Sequence, residues 1–139
     1  MLEALASGSL LLLLDQWSKG LVQTHAATRP ISCGPLVRIR RVLNSHRMYA
    51  RGTARTALVL VWCCALLAAI LLRRFGLWFQ SDAALLGLGV AFGGAAGNLA
   101  DILRKRCVVD FIDLGWWPVF NLADVAILCG LLLAFWPRA

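Results

Sequence analysis

The sequence predicts an all-α membrane protein of four transmembrane helices with a small β-containing first loop. Three observations lead there. Hydrophobic residues make up 60% of the 139-residue chain, and its mean hydropathy is +0.76, too apolar for a soluble domain of this length. The apolar residues gather into four runs, each near the about 20 residues that cross a bilayer as a helix. The segments between the runs leave no separate soluble domain, so residues 1–139 read as one integral membrane domain. Helices suit that setting because they satisfy their own backbone hydrogen bonds where no water is present.

The first span, about 2–22, is interrupted by Asp15 and Lys19. It lacks a basic leading region and carries DQWSK near its end, so it reads as a retained span rather than a cleaved signal. The loop that follows, about Gln23 to Arg55, holds alternating pieces such as Leu36-Val37-Arg38-Ile39-Arg40 that suit small strands. Its length and patterning predict a cover over something. The second span, about 56–73, ends at Arg73-Arg74. The third, about 83–101, repeats Gly89, Gly93 and Gly97 at four-residue spacing, a small-residue face that lets another helix approach closely. The fourth covers about 119–136. Four spans put the first loop and the third loop (about Ile102 to Pro118) on one face. The short loop from about Arg73 to Asp82 shares the other face with both termini.

Several function classes are disfavoured at once. Cys33, Cys63, Cys64, Cys107 and Cys129 show no CxxC spacing and read as small hydrophobes rather than a disulfide framework. His25 and His46 lack ligand spacing, so no zinc site is expected. A net charge of +7 would point to nucleic acid in a soluble chain. Here Arg29, Arg38, Arg40, Arg41, Arg47, Arg51 and Arg55 crowd the first loop, and anionic phospholipid head groups are the expected partner.

The polar residues that packing does not explain carry the chemistry. Asp15 and Lys19 are four apart on one helix face and can pair, which lowers the cost of placing them in the membrane. A Ser18–Lys19 dyad has poor geometry, because adjacent helical residues point about 100° apart. The tetrapeptide NLAD occurs twice, at Asn98–Asp101 and Asn121–Asp124. On a helix each Asn shares a face with its Asp and can orient the carboxylate. Asp110 sits in the apolar stretch VVDFI and Asp113 follows it. If the third and fourth spans are antiparallel neighbours, Asp110 and Asp124 converge at the membrane edge. Two close carboxylates share a proton, so one can act as general base on water and the other as general acid. The same acids could instead pair structurally with Arg104, Lys105, Arg106 or Lys19.

The stretch GGAAGNLADILRKRCVVDFIDLGWWPVFNLADVAI resembles the lipoprotein signal peptidases (signal peptidase II), and LLLLDQWSK resembles that family's first box. The resemblance implies an aspartic endopeptidase of the bacterial inner membrane, with both termini cytoplasmic and the active site near the periplasmic face. The first loop is then extracytoplasmic. Such enzymes remove the signal peptide from prolipoproteins, cutting before a cysteine that carries diacylglyceryl. They need no cofactor and are inhibited by globomycin-type cyclic peptides; a monomer suffices for the mechanism. By motif, the catalytic pair falls on Asp110 and Asp124. Supporting and substrate-binding roles fall on Asp15, Lys19, Asn44, Asn98, Asp101 and Asn121.

The chain departs from the family pattern twice. Ile102 stands where the family usually has Arg, leaving Arg104 or Arg106 to supply that charge. Asn44-Ser45-His46-Arg47-Met48-Tyr49 replaces an Asn-Thr-Gly-Ala-Ala-aromatic box, with Asn44 as the matching Asn. These departures are what would mark a catalytically altered homologue that only binds lipid or lipopeptide, the alternative reading. The expected periplasmic loops also hold ten Lys/Arg, against Arg73, Arg74 and Arg138 on the other side. The positive-inside rule alone would invert the chain; the motif match outweighs it.

Overall fold

The structure, a computed structural model, describes residues 2–26, 29–45 and 51–136. The stretch from His46 through Tyr49 of the altered first-loop box lies outside the described residues, as does Arg138. Four helices dominate: α1 (Leu2–His25), α2 (Gly52–Arg74), α3 (Asp82–Lys105) and α4 (Leu122–Ala134). Three short strands, β1 (Ile31–Ser32), β2 (Arg38–Asn44) and β3 (Val108–Asp113), form one antiparallel sheet in the order β1-β2-β3. By length and composition, α2 and α3 can cross a membrane. Helix α1 is as long but carries Glu3, Asp15 and Lys19; α4 is apolar but has only 13 residues.

Helix α3 is the centre of the bundle and packs along α1 on one side and α4 on the other, while α2 touches it only lightly. The small residues of α3 make both close approaches possible. Gly93 lies against the Gly8 backbone of α1, where a methyl group would collide with it. On the opposite side, a Cβ at Gly87 would sit 2.6 Å from the Gly130 carbonyl of α4. Without side chains in the way, backbones meet and van der Waals contact replaces the missing hydrophobic drive between helices.

Several boundaries differ from the sequence expectation. Helix α2 starts at Gly52 rather than near 56, and α3 runs on to Lys105, where Arg106 turns the backbone left-handed at φ 59°. The fourth helix starts at Leu122, not near 119. Val119 and Phe120 are apolar enough to extend the run, but Phe120 is extended and bridges Ile112. Asn121 then caps α4: its side chain accepts from the Asp124 N–H while the Asp124 carboxylate accepts from the Asn121 N–H. This reciprocal cap fixes where the helix begins. The β structure is also not confined to the first loop, because β3 comes from the third loop and pairs with β2.

The β2–β3 register shifts by one residue between Ile39 and Val42. Arg38 faces Asp113, whereas Val42 faces Asp110. A one-residue shift moves side chains to the other face of the sheet. Arg40 and Asn44 are both even-numbered on one strand, yet the bulge lets Arg40 reach Asp113 on one face and Asn44 reach Asp110 on the other.

Candidate active site

Five elements bring the polar side chains of the site to one end of the bundle. Helix α1 supplies Asp15 and Lys19, α3 supplies Asn98 and Asp101, β2 supplies Asn44, β3 supplies Asp110, and the start of α4 supplies Asn121 and Asp124. The join between β3 and α4 is tight. Phe120 donates to the Ile112 carbonyl at 3.1 Å and accepts from Ile112 at 2.8 Å. That antiparallel return, through the turn at Gly115 (φ 81°), sets Asn121 and Asp124 beside Asp110.

At the base lies Lys19, fully buried. Lys19 Nζ donates to Asn98 Oδ1 at 2.8 Å and forms ion pairs with Asp15 Oδ2 at 2.8 Å and Asp101 Oδ2 at 2.9 Å. Both carboxylates are also fully buried. Asp15 is further held by the Ala123 backbone N–H at 3.1 Å, a contact that ties α1 to the first turn of α4. Asp101 also accepts from Lys105 at 3.0 Å, one turn along α3. This charge pairing offsets the cost of burial, because each unpaired buried charge would cost several kcal/mol.

Asn98 transmits this arrangement. Its oxygen is occupied by Lys19 and by Asn121 Nδ2 at 3.1 Å, so its nitrogen faces away and donates to Asp124 Oδ1 at 2.8 Å. Asn121 is likewise fixed: its oxygen accepts from the Asp124 N–H, and its nitrogen donates to Asn98 and to Asp110 Oδ1 at 2.8 Å. Asn44 donates to the other Asp110 oxygen at 3.2 Å. Asn121 thus touches both acids, through its side chain to Asp110 and through its backbone N–H to Asp124 Oδ2 at 3.1 Å. Burial pushes the Asp110 carboxyl above its ordinary value, and the Asp124 charge adds to that rise; the amides of Asn44 and Asn121 oppose it. Asp113 goes the other way, held low by the hydrogen bond from Arg40 and by the Gly115 N–H.

The two NLAD copies therefore have different geometries. In the second, Asn and Asp cap a helix. In the first, Asn98 does not orient its own Asp101 but reaches across to Asp124, while Asp101 serves Lys19 and Lys105. Arg104 is exposed and makes no hydrogen bond or ion pair among the described residues. The cation beside Asp101 is instead Lys105, which the four-residue spacing from Asp101 points to. Gln16, inside DQWSK, was not singled out by sequence; it donates to Asp15 at 3.2 Å and to the Gly97 carbonyl at 3.1 Å. Among the described residues, no group of three or more His, Cys, Asp and Glu is arranged to hold a metal ion.

A helical bundle whose buried polar network ends in two amide-braced carboxylates has the equipment for acid–base hydrolysis. The family model for signal peptidase (SPase) II matches residues 8–137. The chain belongs to this family of membrane proteases that process lipoproteins. It is 38% identical over 132 residues to the lipoprotein signal peptidase of Moorella thermoacetica, covering 91% of this chain and 86% of that one. The lipoprotein signal peptidase of Pelotomaculum thermopropionicum is 34% identical over 131 residues, covering 92% and 86%. A longer relative, from Rhodococcus jostii, is 37% identical over 106 residues; the match spans 72% of this chain and 52% of the relative. The fold is similar to that of a solved bacterial membrane enzyme, with a TM-score of 0.74 and 23% identity over 94% of this chain and 88% of that one.

Proposed function

We propose that this chain is an aspartic endopeptidase that removes the signal peptide from diacylglyceryl-modified prolipoproteins, cutting just before the lipidated cysteine. Family membership supports prolipoprotein processing. The observation that carries the aspartic mechanism is Asn121, which braces Asp110 with its amide and Asp124 with its backbone N–H. Four helices cross the inner membrane in this reading, with α4 completed by its flanking residues, both termini cytoplasmic and the sheet on the periplasmic face.

Asp110 and Asp124 hold one water and share one proton. Burial favours the neutral form of Asp110, so in this reading it serves as the general acid of a pair that titrates as a unit. Asp124 removes a proton from the water as it attacks the scissile carbonyl. Asp110 protonates the developing oxyanion and the roles then reverse for release of the amine. The amides of Asn98 and Asn121 are held at both their oxygen and their nitrogen, so both acids are oriented before substrate arrives. Lys19, Asp15 and Asp101 position rather than react. An apolar groove between α2, α3 and α4 leads to Asn98 and is the lateral path for the substrate.

The reading is tested by incubating the purified protein with a diacylglyceryl-modified prolipoprotein and with its unlipidated form, each with a chelator or a globomycin-type peptide. Cleavage of the lipidated form alone, unaffected by chelator and stopped by the peptide, is expected. No cleavage of either form would favour a lipopeptide-binding homologue instead.

A further inference from the structure

One donor in the apolar part of the bundle has no use in the folded chain. Trp62 lies on α2, edge-on to Phe92 of α3 with ring centroids 5.9 Å apart and planes at 88°. Its Nε1 is buried and, among the described residues, has no hydrogen-bond partner. Trp62 and Phe92 together form the wall between two apolar grooves. One lies between α1, α2 and α3; the other runs past Leu58 and Ile127 to Asn98, the residue that donates to Asp124. An indole N–H in hydrocarbon finds no water, and leaving it unpaired costs free energy that a Phe at the same place would not incur. Helix α2 also has the lightest contacts of the four with the rest of the bundle, so its inner face is the most open to an occupant.

We infer that the Trp62 indole, whose N–H is covered in the folded chain, turns toward the groove as substrate enters and donates to an ester carbonyl of the lipid on the substrate's cysteine. This rests on the proposed function above. The position fits: Phe92 precedes Asn98 by six residues, about 9 Å along the helix axis, on the membrane side of the acids. The ester carbonyls of a diacylglyceryl cysteine are separated from the scissile bond only by the thioether and the glyceryl carbons, so they enter the groove just below the acids. The chemistry fits as well. Backbone carbonyls of a helical signal peptide are already paired within the helix, whereas a lipid ester carbonyl is an acceptor with no internal donor. Trp62 is distant from the reacting atoms, so it contributes equally to ground state and transition state and acts on KM rather than kcat.

The test uses two synthetic lipopeptides of one sequence, one with ester-linked and one with ether-linked chains; the ether form lacks the carbonyl. With the native protein, KM for the ether substrate is expected to be about fivefold higher, the worth of one net hydrogen bond. Trp62→Phe, which keeps the ring against Phe92, should raise KM for the ester substrate about fivefold at unchanged kcat and leave the ether substrate unaffected. Equal KM values for the two substrates in the native protein would overturn the inference without requiring the variant to fold. So would a Trp62→Phe effect of the same size on both. If the native protein cleaves neither lipopeptide, it is the peptidase reading that fails.

Discussion

At the scale of single residues, the site depends on one buried cation. Lys19 neutralises Asp15 and Asp101 and orients Asn98, and through Asn98 it reaches Asp124. Lys19→Met would leave two buried carboxylates short of their shared partner. Breaking a buried ion pair by removing one side costs about 3–5 kcal/mol, so the thermal midpoint in detergent should fall clearly below that of the native protein. A midpoint that did not move would mean the charges were not paired. Asn44 offers a gentler probe. Its amide stabilises the Asp110 carboxylate and so opposes the rise that burial imposes. Removing that donor in Asn44→Ala raises Asp110 further. The singly protonated pair then persists to higher pH, and the basic limb of the kcat/KM profile should move upward; movement downward would contradict the assignment of Asp110 as the proton holder.

At the scale of elements, the spacing of α1, α3 and α4 is set by glycines as much as by the apolar residues. Gly97 is where this matters for chemistry, because a methyl group there would collide with the Asp15 carboxylate. Asp15 in turn holds the Ala123 N–H at the start of α4. Gly97→Ala should therefore cost about 1–3 kcal/mol of overpacking and also reduce turnover, by moving the first turn of α4 relative to β3. Stability lost with turnover intact would confine Gly97 to packing. The sequence made much of this level visible. The small-residue face of α3 was legible from its four-residue spacing, as was the i,i+4 pairing of Asp15 with Lys19. The start of α4 was hidden by Val119 and Phe120, whose hydrophobicity extends the run, although Asn121-x-x-Asp124 is a capping pattern that marks the true start. The alternating piece Leu36–Arg40 overlaps the start of β2, which runs on to Asn44 through a bulge that has no local signature. The partner of Asn98 was not legible either, since its bond to Asp124 spans two elements and depends on their packing.

At the scale of the whole molecule, the polar network and the lipid-facing bundle form one construction. Buried charges lie at one end of the helices, and the sheet and the β3–α4 return close over that same end. The apolar grooves lie on the flanks of α2. In the proposed function, a substrate held in the bilayer by its acyl chains approaches sideways along these grooves. The central claim is that Asp110 and Asp124 act as a pair while Asp101 only supports them. The most direct measurement is the cleavage rate of a diacylglyceryl-modified reporter by Asp110→Asn, Asp124→Asn and Asp101→Asn, each checked for membrane insertion. The first two should lose about a thousandfold or more of kcat, as expected for loss of a general acid or base, and Asp101→Asn should lose distinctly less. Near-native cleavage by either Asp110→Asn or Asp124→Asn, or a loss in Asp101→Asn equal to theirs, would contradict the account.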